Sequence, residues 1–196
     1  MPPLILASGS PYRQTLLSRL GLEFIAHAPD VDEAAQPHET PTELAKRLAR
    51  NKARALKSLY PEALIIGSDQ VAWLDGIQLT KPGNFANAFA QLQRSSGKTV
   101  TFYTGLCLYN SRDGSEQLSV ETYRARFRPL SDEQLRDYLN RDQPYDCAGS
   151  FKCEGLGISL FESLAGDDPN TLIGLPLIKL TEMLSLAGLD PLGNNR

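Results

Sequence analysis

Apolar and polar residues at the start of the chain follow one another as a strand, a turn and a helix. Leu4 to Ala7 are all apolar and predict a buried strand. Ser8 to Pro11 are turn-forming and helix-starting residues, and Leu16, Leu17 and Leu20 then share one face of a helix. The pattern therefore predicts a short loop that joins the end of a buried strand to the first turn of a helix.

The rest of the chain alternates between apolar runs and helical periods. The predicted strands are residues 24–28, 63–67, 71–74, 77–79, 98–109, 117–127 and 158–164. The predicted helices begin after Thr40, Asn84, Ser131 and Pro176 and end near residues 57, 94, 140 and 188. Asp75-Gly76, between two of the strands, is typical of a tight hairpin. This order predicts an α/β fold with a mixed twisted sheet, flanking helices and two lobes around a central cleft, in one domain over residues 1–196.

Composition narrows the class of protein. The 196 residues carry a net charge of −3, which argues against strong sequence-independent binding of nucleic acid, because such binding needs a basic face. No apolar run approaches the roughly 20 residues that span a bilayer, and the first residues lack the basic segment of a signal peptide, so we expect a cytoplasmic protein. Three cysteines without a CxxC spacing, and two histidines far from them in the sequence, favour neither disulfides nor a zinc site. Cys107 lies between leucines in a predicted strand and is interpreted as a core residue.

The turn at Ser8 to Pro11 is a candidate anion site. The N-terminus of a helix presents unpaired backbone N–H groups and the positive end of the helix dipole. Arg13 adds a planar, permanently charged guanidinium that suits phosphate oxygens. The same pattern also occurs in α/β proteins that bind nothing at the turn, and this segment alone leaves both interpretations open.

Two carboxylates are candidates for chemistry. Asp69 follows the apolar run 63–67, at what should be the C-terminal end of a strand, where open α/β sheets bind their ligands. A carboxylate there can hold a divalent cation or accept a proton from water. Glu33 lies in the polar loop 30–39. Taken alone, the pattern slightly favours a solvated turn for Asp69 and favours an exposed acidic loop for Glu33.

Basic residues are candidates at three places. Lys52 is on the helix that begins after Thr40, and the sequence does not single it out from the other basic residues there, which are Lys46, Arg47, Arg50, Arg54 and Lys57. Lys81 precedes a proline, which favours extended backbone, on the loop after the predicted hairpin. Lys152 and Glu154 lie in a loop with glycines at both ends, where backbone can approach a ligand closely. The alternative is an ordinary loop in which these two charges pair.

Seven segments, in this order and spacing, resemble the Maf-like nucleotide pyrophosphatases along nearly the whole chain. They are SGSPYR (8–13), VDE (31–33), RLARNKA (47–53), GSDQ (67–70), KP (81–82), GSFKCEG (149–155) and GLP (174–176). Many members have a second arginine where this chain has Tyr12, threonine in place of Gln70 and glutamine in place of Glu154. These three differences resemble the branch of the family that prefers 7-methyl-GTP.

The resemblance implies an α/β fold with a cleft, often dimeric. It also implies hydrolysis of a nucleoside triphosphate between the α- and β-phosphates, with a divalent cation such as Mg²⁺ or Mn²⁺. By matching position, Asp69 is the implied proton acceptor, and Glu33 and Asp69 the implied metal ligands. The implied phosphate-binding residues are Ser8, Arg13, Lys52 and Lys81, with Ser10 and Lys152 as supporting candidates.

The three differing residues have a physical interpretation as base contacts. The face of Tyr12 attracts a cationic methylated guanine, Glu154 accepts hydrogen bonds from the guanine edge, and Gln70 reaches the base or sugar. Tyr12 as a packing residue at the helix start is the alternative. Two other functions remain open: the same reaction on dTTP, UTP or another noncanonical nucleotide, and a regulatory protein of cell division that binds without turnover.

Overall fold

A computed structural model describes residues 2–193 of the chain. Within these residues the strands are β1 (Leu4–Ala7), β2 (Ile25–Ala26), β3 (Leu64–Leu74), β4 (Ile77–Leu79), β5 (Thr99–Asn110), β6 (Glu116–Phe127) and β7 (Phe161–Ala165). The helices are α1 (Pro11–Ser18), α2 (Pro41–Ala55), α3 (Phe85–Ser95), α4 (Asp132–Asp142), α5 (Asn170–Ile173) and α6 (Leu177–Leu186), and Leu156–Leu160 form a 3₁₀ helix.

The described strands form one mixed sheet. The strand order is β2-β1-β3-β5-β6-β7, and β4 pairs with β3 beside this path. Strand β1 runs parallel to β2 and β3, whereas β3 with β4 and β6 with β7 are antiparallel. The predicted α/β class with a mixed sheet and flanking helices is therefore confirmed.

Two compact units divide the described chain. Unit 1 holds residues 2–70, 104–121 and 174–193, and unit 2 holds residues 71–103 and 122–173. Each unit has its own hydrophobic core.

In unit 1, helix α2 lies directly against the backbone of two strands. A Cβ atom at Gly67 of β3 would stand 2.1 Å from the carbonyl oxygen of Ala49, and one at Gly105 of β5 would stand 2.1 Å from that of Ala45. Only glycine leaves room for such an approach. Ala45, Ala49 and Ala53 are spaced four residues apart, so they form the stripe of α2 that packs here.

In unit 2, aromatic rings dominate the core. Phe102, Phe127, Phe151 and Phe161 make edge-to-face contacts with centroids 4.8 to 5.8 Å apart. This geometry places the positive edge of one ring against the negative face of another and adds to the free energy gained by burial. The core of unit 2 is thus built by apolar packing.

Local sequence signals for helix starts and for the hairpin are confirmed. Thr40 and Ser131 each form a capping box with the residue three positions on, and Asn84 caps α3 with its side chain. Asp75 and Gly76 have φ values of 49° and 82°, as the predicted hairpin turn between β3 and β4 requires. These features depend on residues close together in the sequence, which explains why the pattern alone predicts them.

Several predicted boundaries are wrong. The most important is at residue 67, where β3 does not end but continues through Ser68, Asp69 and Gln70 to Leu74. Backbone pairing on either side of these residues accounts for the continuation: β3 pairs with β1 up to Gly67 and with β4 from residue 72, and β5 is its other neighbour in the sheet. The predicted strand 158–164 begins only at Phe161, after the 3₁₀ helix, and the predicted strand 24–28 shortens to Ile25–Ala26.

Cys107 is fully buried, and burial raises the pKa of its thiol to about 12, so its interpretation as a core residue is confirmed. Among residues 2–193, no helix is both long and apolar enough to cross a bilayer.

Candidate active site

Helix α2 and strand β3 bring Lys52 to Asp69. Side chains two apart on a strand share a face, so Asp69 points to the same side as Gly67, where α2 packs. The Lys52 Nζ lies 2.5 Å from Asp69 Oδ1, and both residues are buried, with 7 and 9% of their surface exposed. The solvated turn that the pattern favoured for Asp69 is therefore wrong.

The same ammonium also meets Glu33. The loop between β2 and α2 carries Glu33 to 2.6 Å from Lys52 Nζ, although 60% of the Glu33 side chain remains exposed. Glu33 is thus exposed, as its loop predicts, and ion-paired at the same time. A buried ammonium needs such partners, because an unpaired charge loses its hydration without compensation.

Arg13 lies in the electrostatic field of both carboxylates. Burial lowers the pKa of the Arg13 guanidinium, and the charges of Asp69 and Glu33 oppose that shift. The Arg13 Nε donates a 2.8 Å hydrogen bond to the carbonyl oxygen of Gly174, which fixes the direction of the side chain. Two cations and two carboxylates of unit 1 therefore belong to one charged cluster, which we call the acid–base cluster: Arg13, Lys52, Glu33 and Asp69.

The turn after β1 takes the predicted form of a helix N-terminus. The Ser10 Oγ caps α1 by accepting a hydrogen bond from the Arg13 backbone N–H, at 3.4 Å. Ser8 is buried, and its Oγ accepts a 3.1 Å hydrogen bond from the Ser10 backbone N–H. Because Ala7 pairs with Gly67, β1 ends beside the part of β3 that carries Asp69.

Ser68 and Gly174 support the cluster but were not identified from the sequence as site residues. The buried Ser68 Oγ lies 2.9 Å from the carbonyl oxygens of both Gly105 and Gly174. The Gly174 carbonyl that meets Ser68 is also the one that holds Arg13. The segment GLP (174–176) is the sequence motif that contains Gly174, but nothing in the motif indicates that the backbone carbonyl of Gly174 accepts the hydrogen bonds.

The residues expected to contact the base divide between the units. In unit 1, Gln70 donates a 3.1 Å hydrogen bond from its Nε2 to Thr104 Oγ1, and Tyr12 is half-buried on α1. In unit 2, Glu154 is exposed in the loop before the 3₁₀ helix, and its carboxylate accepts from the Cys153 thiol at 3.3 Å.

Lys81 and Lys152 are the basic candidates of unit 2. Lys81 is exposed on the loop between β4 and α3. The Lys152 ammonium donates to the backbone carbonyl of Asp142 at 3.3 Å, and its backbone N–H donates to Tyr138 Oη at 3.1 Å. Within the described residues, Lys152 therefore does not form the ion pair with Glu154 that the alternative interpretation expected.

The donor set fits a divalent cation only if a ligand completes it. Mg²⁺ in phosphate sites takes one or two carboxylates together with phosphate oxygens. Asp69 and Glu33 provide two carboxylates around one point, and residues 2–193 contain no group of three histidine, cysteine or acidic side chains that could hold a metal. The remaining ligands would have to be substrate oxygens and water.

Comparison with known proteins identifies the family. Residues 3–187 match the model of the Maf-like protein family. The chain is 54% identical over 98% of its length to the 7-methyl-GTP pyrophosphatase of Colwellia psychrerythraea, of which the match covers 96%. It is also 54% identical over 95% of its length to the 7-methyl-GTP pyrophosphatase of Nitrosococcus oceani, with 94% of that protein covered.

Among solved structures, a HAM1 protein from Coxiella burnetii is similar at 16% identity and a TM-score of 0.44, over 65% of this chain and 73% of that one. The family assignment rests on the sequence matches, which extend over nearly the full length. The chain belongs to the Maf-like protein family.

Proposed function

We propose that this protein hydrolyses 7-methyl-GTP between the α- and β-phosphates, producing 7-methyl-GMP and pyrophosphate. The observation that carries the reaction class is the buried Asp69, held by Lys52 beside Glu33. The substrate follows from the relatives, because proteins 54% identical over nearly the whole chain bear the name 7-methyl-GTP pyrophosphatase.

The acid–base cluster suits the charge that moves in this reaction. When the phosphoanhydride bond breaks, negative charge develops on the leaving pyrophosphate, and preorganised cations stabilise it. Lys52 and Arg13 are such cations, and the positive end of the α1 helix dipole lies at the turn of Ser8 and Ser10. Lys81 is the candidate that unit 2 contributes.

Asp69 has the role of proton acceptor in this proposal. In the protein without substrate, one carboxylate oxygen of Asp69 accepts from Lys52. A triphosphate competes for the same ammonium, and as Lys52 turns to phosphate oxygens, Asp69 becomes available to take a proton from the attacking water. A divalent cation such as Mg²⁺ or Mn²⁺, held by Asp69 and Glu33, would supply further neutralisation of the polyphosphate.

Base selection is assigned to Tyr12, Gln70 and Glu154. Methylation at N7 makes guanine a cation, which the face of Tyr12 attracts by about 0.5–2 kcal/mol, depending on desolvation. Glu154 accepts hydrogen bonds from the guanine N1–H and N2–H₂, and its negative charge favours the methylated base further. A pyrimidine lacks these donors, so it gains neither hydrogen bond from the carboxylate, which is exposed and stays hydrated.

Pyrophosphate release from a panel of nucleotides tests the proposal. The purified protein is assayed with 7-methyl-GTP, GTP, dTTP and UTP in the presence of Mg²⁺ or Mn²⁺, and we expect the highest kcat/KM for 7-methyl-GTP. Asp69→Asn should lower the rate by about 10²–10³-fold, as expected when one group that stabilises the transition state is removed. Asp75→Asn is the matched control, since Asp75 is an exposed turn residue paired with Lys98.

Three results would contradict parts of the proposal. Preference for dTTP or UTP would assign the chain to the alternative substrates. A loss below tenfold in Asp69→Asn would remove Asp69 from its role. Absence of turnover on every nucleotide would favour the alternative of a regulatory binding protein.

The expectations of a homodimer, of a cytoplasmic location and of no affinity for nucleic acid remain predictions. Sedimentation of the purified protein tests the first, and a fluorescence-anisotropy titration with labelled DNA and RNA tests the last. We expect no binding at physiological salt, because the net charge of −3 gives no general attraction to phosphate backbones.

A further inference from the structure

The segment that carries Glu33 has little apolar packing to hold it. Residues 32–38 are all exposed. A cavity of about 630 Å³ lies between this segment and α2, lined by residues that include Val31, Asp32, Gln36, Arg47, Asn51 and Arg54. Polar contacts must therefore fix the position of Glu33.

Arg47 makes the strongest of these contacts. Its Nε lies 2.6 Å from Glu39 Oε1 and its Nη2 lies 2.8 Å from Glu39 Oε2, a two-pronged pair in which only 7% of the Glu39 side chain is exposed. The same Nη2 donates a 2.9 Å hydrogen bond to the carbonyl oxygen of Ala34. Glu39 also accepts from the backbone N–H of Gln36, at 2.9 Å.

These contacts begin at the residue next to Glu33. Ala34 follows Glu33 directly, and its N–H donates to Asp32 Oδ1 at 2.9 Å, which closes a tight turn around Glu33. Arg47 and Lys52 are both on α2, separated by about 7.5 Å along its axis. One rigid helix thus supplies both the residue that fastens the segment and the ammonium that Glu33 meets.

The cavity itself is poorly suited to binding an anion. Its two arginines are already paired, Arg47 with Glu39 and Arg54 with Glu116. Without an uncompensated cation, the cavity offers a phosphate little attraction. Its significance is that the segment stands away from α2 and depends on the arginine contacts.

We propose that Arg47, together with Glu39, is a positioning residue for the reaction: it fastens residues 32–39 so that Glu33 reaches Lys52 and the acid–base cluster. The proposal rests on the proposed function for its kinetic consequences only. It adds a residue outside the cluster whose effect passes through Glu33.

A double-mutant cycle tests whether Arg47 acts through Glu33. Arg47→Ala should lower kcat on 7-methyl-GTP by about 10- to 100-fold, the scale expected for a misplacement of about 1 Å. In the Glu33→Gln background, the same substitution should cost no more than about twofold, because the interaction it supports is already lost. Equal losses in both backgrounds would overturn the proposal.

Conservative variants separate positioning from folding. Arg47→Lys keeps the charge but presents a single ammonium, so it should fall between wild type and Arg47→Ala. Glu39→Gln should lower kcat in the same direction, since it weakens the same contact. Arg54→Ala is the matched control: Arg54 is on the same helix and lines the same cavity, but it pairs with Glu116, and kcat should stay unchanged.

Hydrogen exchange tests the structural half of the proposal without turnover. In the free protein, amides of residues 32–39 should exchange faster in Arg47→Lys and Arg47→Ala than in wild type, whereas amides of β3 should exchange at the wild-type rate. In the Arg54→Ala control, the amides of residues 32–39 should also exchange at the wild-type rate. Unchanged exchange in this segment of the Arg47 variants would overturn the proposal. Because this measurement needs no substrate, failure of the proposed function and failure of the positioning role give different results.

Discussion

The two units of the chain contrast in how they treat ion pairs, which are exposed in unit 2 and include a buried pair in unit 1. Unit 1 buries a lysine and an aspartate against each other and brings Arg13 and Glu33 into the same field. Unit 2 buries a set of phenylalanine rings and leaves its candidates Lys81 and Glu154 exposed. The first arrangement is costly unless each charge is compensated, while the second is favourable by packing alone.

In unit 1, Lys52 is already paired with Asp69 and Glu33 in the protein without a ligand. The acid–base cluster of unit 1 is assembled from α1, α2, β3 and the loop before α2, so its geometry is fixed by the fold. The candidates of unit 2 lie on loops that connect packed elements, where side chains keep freedom to adapt to a base or a phosphate.

The contact between α2 and the backbone of β3 at Gly67 should be the point where a substitution lowers stability most. Gly67→Ala would force a methyl group to 2.1 Å from the Ala49 carbonyl oxygen and 2.7 Å from the Ala53 nitrogen, both backbone atoms that cannot rotate away. We expect the free energy of unfolding to fall by about 3 kcal/mol, at the upper end of the usual overpacking cost. Urea unfolding followed by circular dichroism measures it.

Gly166→Ala in unit 2 is the comparison for that substitution. Its methyl group would also come within 2.1 Å of a neighbour, but that neighbour is the ring of Tyr123, a buried side chain that relaxes more easily than helix backbone. We expect a loss of about 1–2 kcal/mol. Equal losses of unfolding free energy in the two variants would mean that the close contact of α2 with β3 is no more sensitive than a contact with a side chain.

Glu154→Gln should change selectivity rather than stability. The side chain is exposed, so the fold should tolerate the change, but the cationic base loses an attractive charge. We expect the ratio of kcat/KM for 7-methyl-GTP over UTP to fall by about five- to tenfold. Glu162→Gln, which alters another exposed glutamate of unit 2, is the control, and an unchanged ratio in Glu154→Gln would remove Glu154 from base selection.

The smallest effect concerns the pH dependence of stability at Glu39. Hydrogen bonds from Arg47 are the main cause that lowers the pKa of Glu39 below its ordinary value of 4.5. A carboxylate with a lowered folded-state pKa stabilises the fold above its unfolded pKa and loses that contribution as the pH falls through the folded value. The difference in unfolding free energy between wild type and Glu39→Gln should therefore be constant near neutrality and shrink below about pH 4.5. A difference that grows on acidification would contradict this assignment.

The sequence predicts elements better than their ends. Thr40 and Ser131 mark helix starts because capping needs only residues three apart. The pattern predicts the end of β3 too early because Ser68, Asp69 and Gln70 are polar residues that are typical of a turn. The strand continues through them because β3 pairs with β1 just before these residues and with β4 just after them, and the pairing with β1 joins residues far apart in the chain.

The candidate site shows the same division. Asp69, Glu33 and Arg13 are recognisable candidates from their positions in the sequence and from the family resemblance. The contacts of Ser68 and Gly174, and the positioning role that we propose for Arg47, cannot be recognised in the sequence, since they depend on hydrogen bonds to backbone carbonyls and to Glu39. Such contacts have no signature in a single sequence.

Local patterning and the order of short motifs are enough to predict the α/β class, the helix starts, the hairpin turn and membership of the Maf-like family. Only the tertiary structure pairs Lys52, out of six basic residues near one helix, with Asp69. The reason is steric: Gly67 and Gly105 let the alanine stripe of α2 approach the sheet backbone, and that approach buries Lys52 beside Asp69 while Lys46, Arg54 and Lys57 remain exposed.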